Sequence, residues 1–229
     1  MRARPTGTGI AAPRVRGAAF SAYAAGSAGI VANVSLIGFY AFQAGRPERG
    51  SALGTTNDLV GSLGAAFMIP AAVALGDRLP RRPAVRATRA AGLSAMVVLT
   101  ATGPLLVFDV LPFRVSTPIS LAAFLVLAGW LLGVNRASRR SAVLARGVTR
   151  LGQLCGAGTL AGAALVGSAF LLPRRSWPQV GMVGVGGVLG VGAMLAIPVW
   201  FLLLGRQLSR VPGHGAAVGV PNGSRRALR

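Results

Sequence analysis

The chain has 229 residues, 53% of them hydrophobic and 12% charged, with a mean hydropathy of +0.62. Soluble domains carry about 25% charged residues, so this composition argues against a water-soluble fold and for a chain whose solvent is lipid. The 24 basic residues against 4 acidic ones give a net charge of +20, which in a soluble protein would suggest a nucleic-acid binder; here they stand in short clusters between long apolar runs, so no nucleic-acid partner is expected.

In chain order, residues 1–17 come first. They hold Arg2, Arg4, Arg14 and Arg16 among Gly, Pro and Ala, with too little large apolar surface to offset the entropy of ordering. A disordered basic tail is expected there. A helix needs about 20 apolar residues to cross the hydrocarbon core, and six stretches follow at that scale: 18–42, 59–75, 90–108, 118–134, 151–172 and 180–204. The second and fourth are short and leave little room for tilt. None shows the alternation of a membrane β-barrel. The sequence therefore predicts an all-α membrane protein, a six-transmembrane-helix bundle over residues 18–204 with short loops. Residues 205–229 repeat the composition of the first tail and are expected to be a second disordered basic tail.

Two local readings compete with this layout. A cleaved signal peptide would explain the first stretch, but the apolar run continues through Ile30, Val31, Leu36 and Phe42, longer than a signal h-region. Between Arg136 and Arg150 the linker reads either as a short amphipathic helix with Val143, Leu144 and Val148 toward lipid or as a plain extension of the neighbouring helices.

All the basic residues are arginine. With abundant Ala, Gly, Val and Pro, that is the composition of a protein from a GC-rich bacterial genome. The arginines alternate by segment: 19 lie in the two tails and in the loops after the second and fourth stretches, and 5 lie in the other three loops. The positive-inside rule places the arginine-rich side, with both termini, in the cytoplasm of a multi-pass protein of the bacterial cell membrane. Anionic inner-leaflet lipids are then the expected partners of the arginine clusters. The acids Glu48, Asp58 and Asp109 fall on the outer side and Asp77 on the inner side.

Small residues set the expected packing. Gly152, Gly156, Gly158 and Gly162 in the fifth stretch, with Gly186 and Gly190 in the sixth, allow backbones to approach closely. Helices five and six are expected to be the closest-packed pair, with Gly152 and Gly156 on one face and Gly158 and Gly162 on another. A homodimer through the same surface is the alternative, and Gly26 in the first helix is expected to matter less. Pro70, Pro104 and Pro198 each remove a helical hydrogen bond and tend to kink their spans. The similar Ile69-Pro70 and Ile197-Pro198 settings hint at an internal repeat. The single cysteine, Cys155, reads as a small buried hydrophobe.

Ionisable residues inside a membrane are functional candidates by default, and none stands in the middle of a span. Asn57 and Asp58 precede the second stretch, where a carboxylate caps a helix N-terminus. Asp109 closes the third stretch near Arg114. Within the spans the more notable polar side chains are Tyr23, Asn33, Ser35, Tyr40, Thr100, Thr102 and Thr159. Asn33 leads these, because an unpaired amide in lipid is costly and should hydrogen-bond to another helix. Trp130, Trp177 and Trp200, with Tyr40, read as interfacial or lipid-facing aromatics. No catalytic, cofactor-binding or metal-binding pattern is present: the only histidine, His214, lies in a Gly-rich tail, and the HExxH, GxSxG and Walker motifs are lacking.

The six-span layout, with the Asn57-Asp58 pair at the outer start of the second helix, resembles small six-helix membrane proteins of GC-rich bacteria that carry domains of unknown function. The resemblance implies a helical membrane fold and no particular activity. Two functions are therefore carried forward. One is a structural or interaction component of the membrane, as a dimer or a subunit of a complex. The other is a small transporter or permeation protein for a neutral or apolar solute, which a polar cavity lined by Asn33, Thr100 and Thr102 would favour.

The arginine alternation makes a direct topological prediction. Reporter fusions after Arg82, Arg140 and Arg210 read cytoplasmic, and fusions near Ser51, Val115 and Trp177 read external. A non-alternating result at any of these sites rejects the six-span layout.

Overall fold

The computed structural model describes residues 11–43 and 52–210, with side chains from residue 16 onward. Seven α-helices follow one another: α1 Ala11–Gly38, prolonged by a π-helical turn at Phe39–Gln43, α2 Ala52–Asp77, α3 Pro83–Val107, α4 Phe113–Ser141, α5 Arg146–Ala169, α6 Trp177–Leu195 and α7 Ile197–Ser209. Helices α6 and α7 are two halves of one apolar stretch, so six helical stretches are long and apolar enough to cross a membrane. There is no strand among the described residues.

The helices outrun the apolar stretches that mark them. Hydropathy delimits the segment that suits hydrocarbon, whereas helical hydrogen bonding continues until a turn or a proline stops it. Helix α1 starts at Ala11, so Arg14 and Arg16 are helical rather than part of a disordered tail. At the other end α7 takes in residues 205–209 of the expected second tail. Residues 1–10 and 211–229, His214 among them, lie outside the described residues, as do Arg46, Glu48 and Arg49. Helix α4 runs straight through to Ser141, so the Arg136–Arg150 linker is an extension of its neighbours. Its Leu144 and Val148 are buried in the core instead of facing outward. Ser176 starts α6: its hydroxyl accepts from the Gln179 N–H while the Gln179 side chain accepts from the Arg175 N–H, a reciprocal cap.

Each helix from α1 to α5 packs on its successor, and α7 closes the ring against α1. The core lies at the arginine-rich end, where Trp200, Phe201, Leu204 and Leu208 of α7 are fully buried. The Trp200 indole N–H donates to the Val148 carbonyl at 3.1 Å and to Asn135 Oδ1 at 3.3 Å. Asn135 in turn donates to the Leu131 carbonyl at 2.8 Å. Trp130 meets Trp200 edge-on at 5.9 Å and stacks on Phe201. Trp130 and Trp200 are thus core residues, not interfacial ones; for Trp200 the interior supplies the hydrogen-bond partners that an indole otherwise seeks at an interface. Trp177 and Tyr40 are exposed, as expected.

Glycines let this core close. A Cβ on Gly152 would collide with the Asn135 amide and the Trp200 indole, and one on Gly92 would collide with Trp130. The two faces of α5 are as expected, but they serve different partners. Gly152 and Gly156 face α4, where a Cβ at 156 would lie 2.5 Å from the Ala128 carbonyl. Gly158 and Gly162 face α6, where a Cβ at 162 would lie 2.5 Å from Gly190 Cα and 2.6 Å from the Gly186 carbonyl. Gly26 is not the tolerant position expected of it: its Cβ would stand 2.6 Å from Leu202 Cγ and 2.8 Å from the Pro198 carbonyl. The α1–α7 seam is as intimate as the α5–α6 seam. Pro70 sits inside a continuous α2, whereas just before Pro198 the helix is interrupted at one residue, Ala196, whose backbone stays right-handed at φ −84° and ψ −12°.

Gly162→Leu and Gly26→Leu should each destabilise the fold by about 1–3 kcal/mol, the usual range for overpacking. Gly184, whose added Cβ would touch nothing, should accept leucine within about 0.5 kcal/mol. Reversible unfolding in mixed micelles measures all three, and equal tolerance would mean that these seams do not form.

Candidate functional site

The break in the sixth stretch shapes the site. Proline has no N–H, so Pro198 cannot bond the carbonyl one turn back, and its ring crowds that carbonyl. The helix stops at Leu195 and restarts at Ile197. Beyond the break, toward the arginine-poor end, α6 follows its glycines onto α5. On the other side α7 follows Gly26 and Gly29 onto α1. A cavity of about 230 Å³ lies between α1, α2, α3 and α4, and Met194, Ile197 and Pro198 at the break complete its wall.

Polar side chains from four helices line this cavity. Helix α1 contributes Asn33, α2 contributes Asn57, Asp58 and Ser62, α3 contributes Thr102, and α4 contributes Ser116 and Ser120. Most of their donors are spent on neighbouring helices or on one another. Asn33 Nδ2 donates to the Leu195 carbonyl at 3.2 Å, holding α1 to the break. Ser62 Oγ donates to the Leu99 carbonyl at 3.0 Å, and Ser120 Oγ to Thr102 Oγ1 at 3.2 Å. Asn57 Nδ2 donates to Asp58 Oδ1 at 3.0 Å. The oxygens of Asn33 and Asp58 Oδ2 accept no hydrogen bond among the described residues, which leaves a cavity rich in acceptors. Gly103 brings α3 against this wall, since a Cβ there would collide with Ser62 Oγ and the Asp58 carbonyl.

The expected candidates divide. Asn33, Asn57, Asp58 and Thr102 come together. Thr100 does not line the cavity, because its hydroxyl bonds back to the Met96 carbonyl at 2.8 Å. Asp109 lies outside, exposed in the turn after α3 with a left-handed φ of 56°, a conformation that Asp and Asn tolerate better than most residues. Asp58 is not a cap. Helix α2 begins at Ala52, its early Leu53 N–H is taken by Gln43 Oε1 at 3.1 Å, and Thr56 bonds back to Ala52. Asp58 is thereby carried into the helix, with its carboxylate on the cavity. Sequence reasoning missed Ser62, Ser116 and Ser120, since a serine in an apolar run is cheap to accommodate and gives no sign of which face it occupies.

No family model, curated protein or solved structure matches the chain, so the site is read from its own geometry.

Asn33 and Asp58 should separate in stability measurements. Asn33→Val removes the bond to the break and should cost about 1 kcal/mol, in the range of interhelical hydrogen bonds in membranes. Asp58→Ala should stay within about 0.5 kcal/mol, whereas loss of a true cap costs about 0.5–2 kcal/mol. Thermal or denaturant unfolding in detergent checks both.

Proposed function

We propose that this chain is a small multi-pass transporter or permeation protein, with its arginine-rich end in the cytoplasm, and that it takes a small donor-bearing solute, neutral or singly cationic, into the cavity at Asp58. Six apolar helices and their outward apolar side chains, such as Val34, Val97, Leu154 and Val188, support insertion in a bilayer. The arginine asymmetry supports the orientation.

The observation that carries the proposal is the convergence of Asn33, Asp58, Ser62, Thr102, Ser116 and Ser120 on one cavity beside a broken helix. Binding sites of membrane carriers are often built where a helix is interrupted. The single carboxylate and the unused acceptor oxygens select for donors, and no arginine lines the cavity to favour an anion. The lining also lacks His, Lys and Cys, which favours binding and passage over catalysis.

A second reading, lateral association with another copy or another membrane protein, has one observation in its favour. A Cβ added to Gly181, Gly184, Gly187 or Gly192 of α6 would meet open space, and close helix contacts in membranes favour such positions.

Cysteine accessibility tests the first reading. Cys155 is buried, so a Cys155→Ala background is silent and Ser120→Cys reports on the cavity. A small cationic methanethiosulfonate should modify it roughly tenfold faster than an anionic one, as charge focusing in a cleft implies. Asp58→Asn should abolish that preference. If no water-soluble reagent reaches Ser120→Cys, the cavity is closed to solutes and the proposal fails.

A further inference from the structure

At the opposite end of the bundle, independent of the solute cavity, a larger pocket of about 430 Å³ opens between the α2–α3 turn, the start of α3 and the end of α4. Four guanidinium groups surround it: Arg82 and Arg89 from the α3 side, Arg136 and Arg140 from α4. The sequence places one carboxylate near this end, Asp77, and its Oδ1 is already bonded to Arg89 Nη1 at 2.7 Å. The guanidinium groups of Arg82, Arg136 and Arg140 make no hydrogen bond or ion pair among the described residues. Three uncompensated charges around one concavity call for an anion.

The lining also has an apolar part. Val85, Trp130 and Val134 contribute to the wall, and Trp130 and Val134 are otherwise buried. A simple inorganic ion would have no use for that surface, whereas an amphiphile with a charged head would cover both parts. Backbone economy shapes the pocket as well. A Cβ on Gly76 would press on the Arg89 side chain at 2.8 Å, and one on Gly133 would press on Thr88 at 2.7 Å. Guanidinium groups from two helices suit the oxygens of a phosphate, which they can bind in pairs. Basic pockets between helices at the cytoplasmic face hold lipid headgroups in the same way.

We propose that this pocket is a specific site for a phosphate-bearing anion, filled by the headgroup of an anionic phospholipid in preference to a soluble phosphate compound. It differs from diffuse attraction of an arginine-rich surface to a membrane in requiring the two α4 arginines in particular.

The test uses the full chain in neutral detergent, titrated with labelled phosphatidylglycerol and, separately, with phosphatidylcholine. The wild type should bind phosphatidylglycerol saturably and at least tenfold more tightly. The double substitution Arg136→Gln with Arg140→Gln should weaken this roughly thirtyfold, at about 1 kcal/mol per arginine. The same charge removed at Arg146 and Arg150, exposed on α5 and outside the pocket, should change it by less than about threefold, because exposed charges are screened. Arg136→Lys with Arg140→Lys keeps the charge but not the paired hydrogen bonds and should recover part of the affinity lost in the glutamine variant, which separates loss of the site from loss of the fold. Inorganic pyrophosphate distinguishes the source: failure to displace the lipid identifies the headgroup as the ligand, and displacement at low concentration identifies a soluble phosphate compound on the same site. Equal losses in the α4 and α5 variants, or no preference of the wild type for phosphatidylglycerol, would overturn the proposal.

Discussion

A polar group inside an apolar helix bundle must find its partner within the chain, and the Trp200 indole is where this constraint organises the fold. Its N–H reaches the Val148 carbonyl and Asn135 Oδ1 only because Gly152 leaves room for the approach. Three helices, α4, α5 and α7, are thereby tied at one point, and Trp130 and Phe201 pack around it. An indole left without these acceptors would carry the full penalty of an unmet buried donor. The arrangement seats the inner face of α7 on the core of the arginine-rich half. It also settles what the remainder of the sixth stretch can do.

With α7 held against α1, the other half of that stretch lies along α5. Pro198 interrupts the helical hydrogen bonding between the halves, and the glycine seam of Gly158, Gly162, Gly186 and Gly190 holds α6 on α5. At the break Asn33 donates its amide to the Leu195 carbonyl, tying α1 to this point. The same amide that stabilises the break presents its oxygen to the cavity that the break creates. Structural adhesion and solute binding are therefore not alternatives for Asn33: its nitrogen serves one and its oxygen is free for the other.

What was legible in the sequence follows the physics of each signal. The helical stretches were legible because long apolar runs have no competing explanation, and the two glycine faces of α5 were legible because spacing on a helix fixes facing. Asn33, Asn57 and Asp58 could be singled out because amides and carboxylates are rare in such runs. Their convergence could not, because it depends on how α1 to α4 pack around the interruption at Ala196, and Pro70 in a similar local setting causes none. Asp58 was misassigned as a cap for a related reason. Hydropathy begins the second stretch at Leu59, whereas the helix begins at Ala52, where Gln43 at the end of the preceding helix takes the Leu53 N–H. Asn135, which holds the core, was overlooked because it stands just past the end of the fourth apolar stretch, beside Arg136, where an amide reads as surface.

The two pockets sit at opposite ends, yet both lie on the α3–α4 pair. Thr102, Ser116 and Ser120 border one, and Arg89, Arg136 and Arg140 border the other. Between them Trp130 is pinned by Gly92 of α3 and packed against Trp200 and Phe201 of α7. It therefore belongs at once to the wall of the arginine pocket and to the cluster that seats α7 below the break. Close-packed interiors transmit displacement because they have little free volume to absorb it. A headgroup that shifted Trp130 would have to shift Trp200 as well, and with it the hydrogen bonds to Val148 and Asn135. The arginine pocket thus abuts the cluster that seats α7, whose Ile197 and Pro198 form part of the wall of the other cavity.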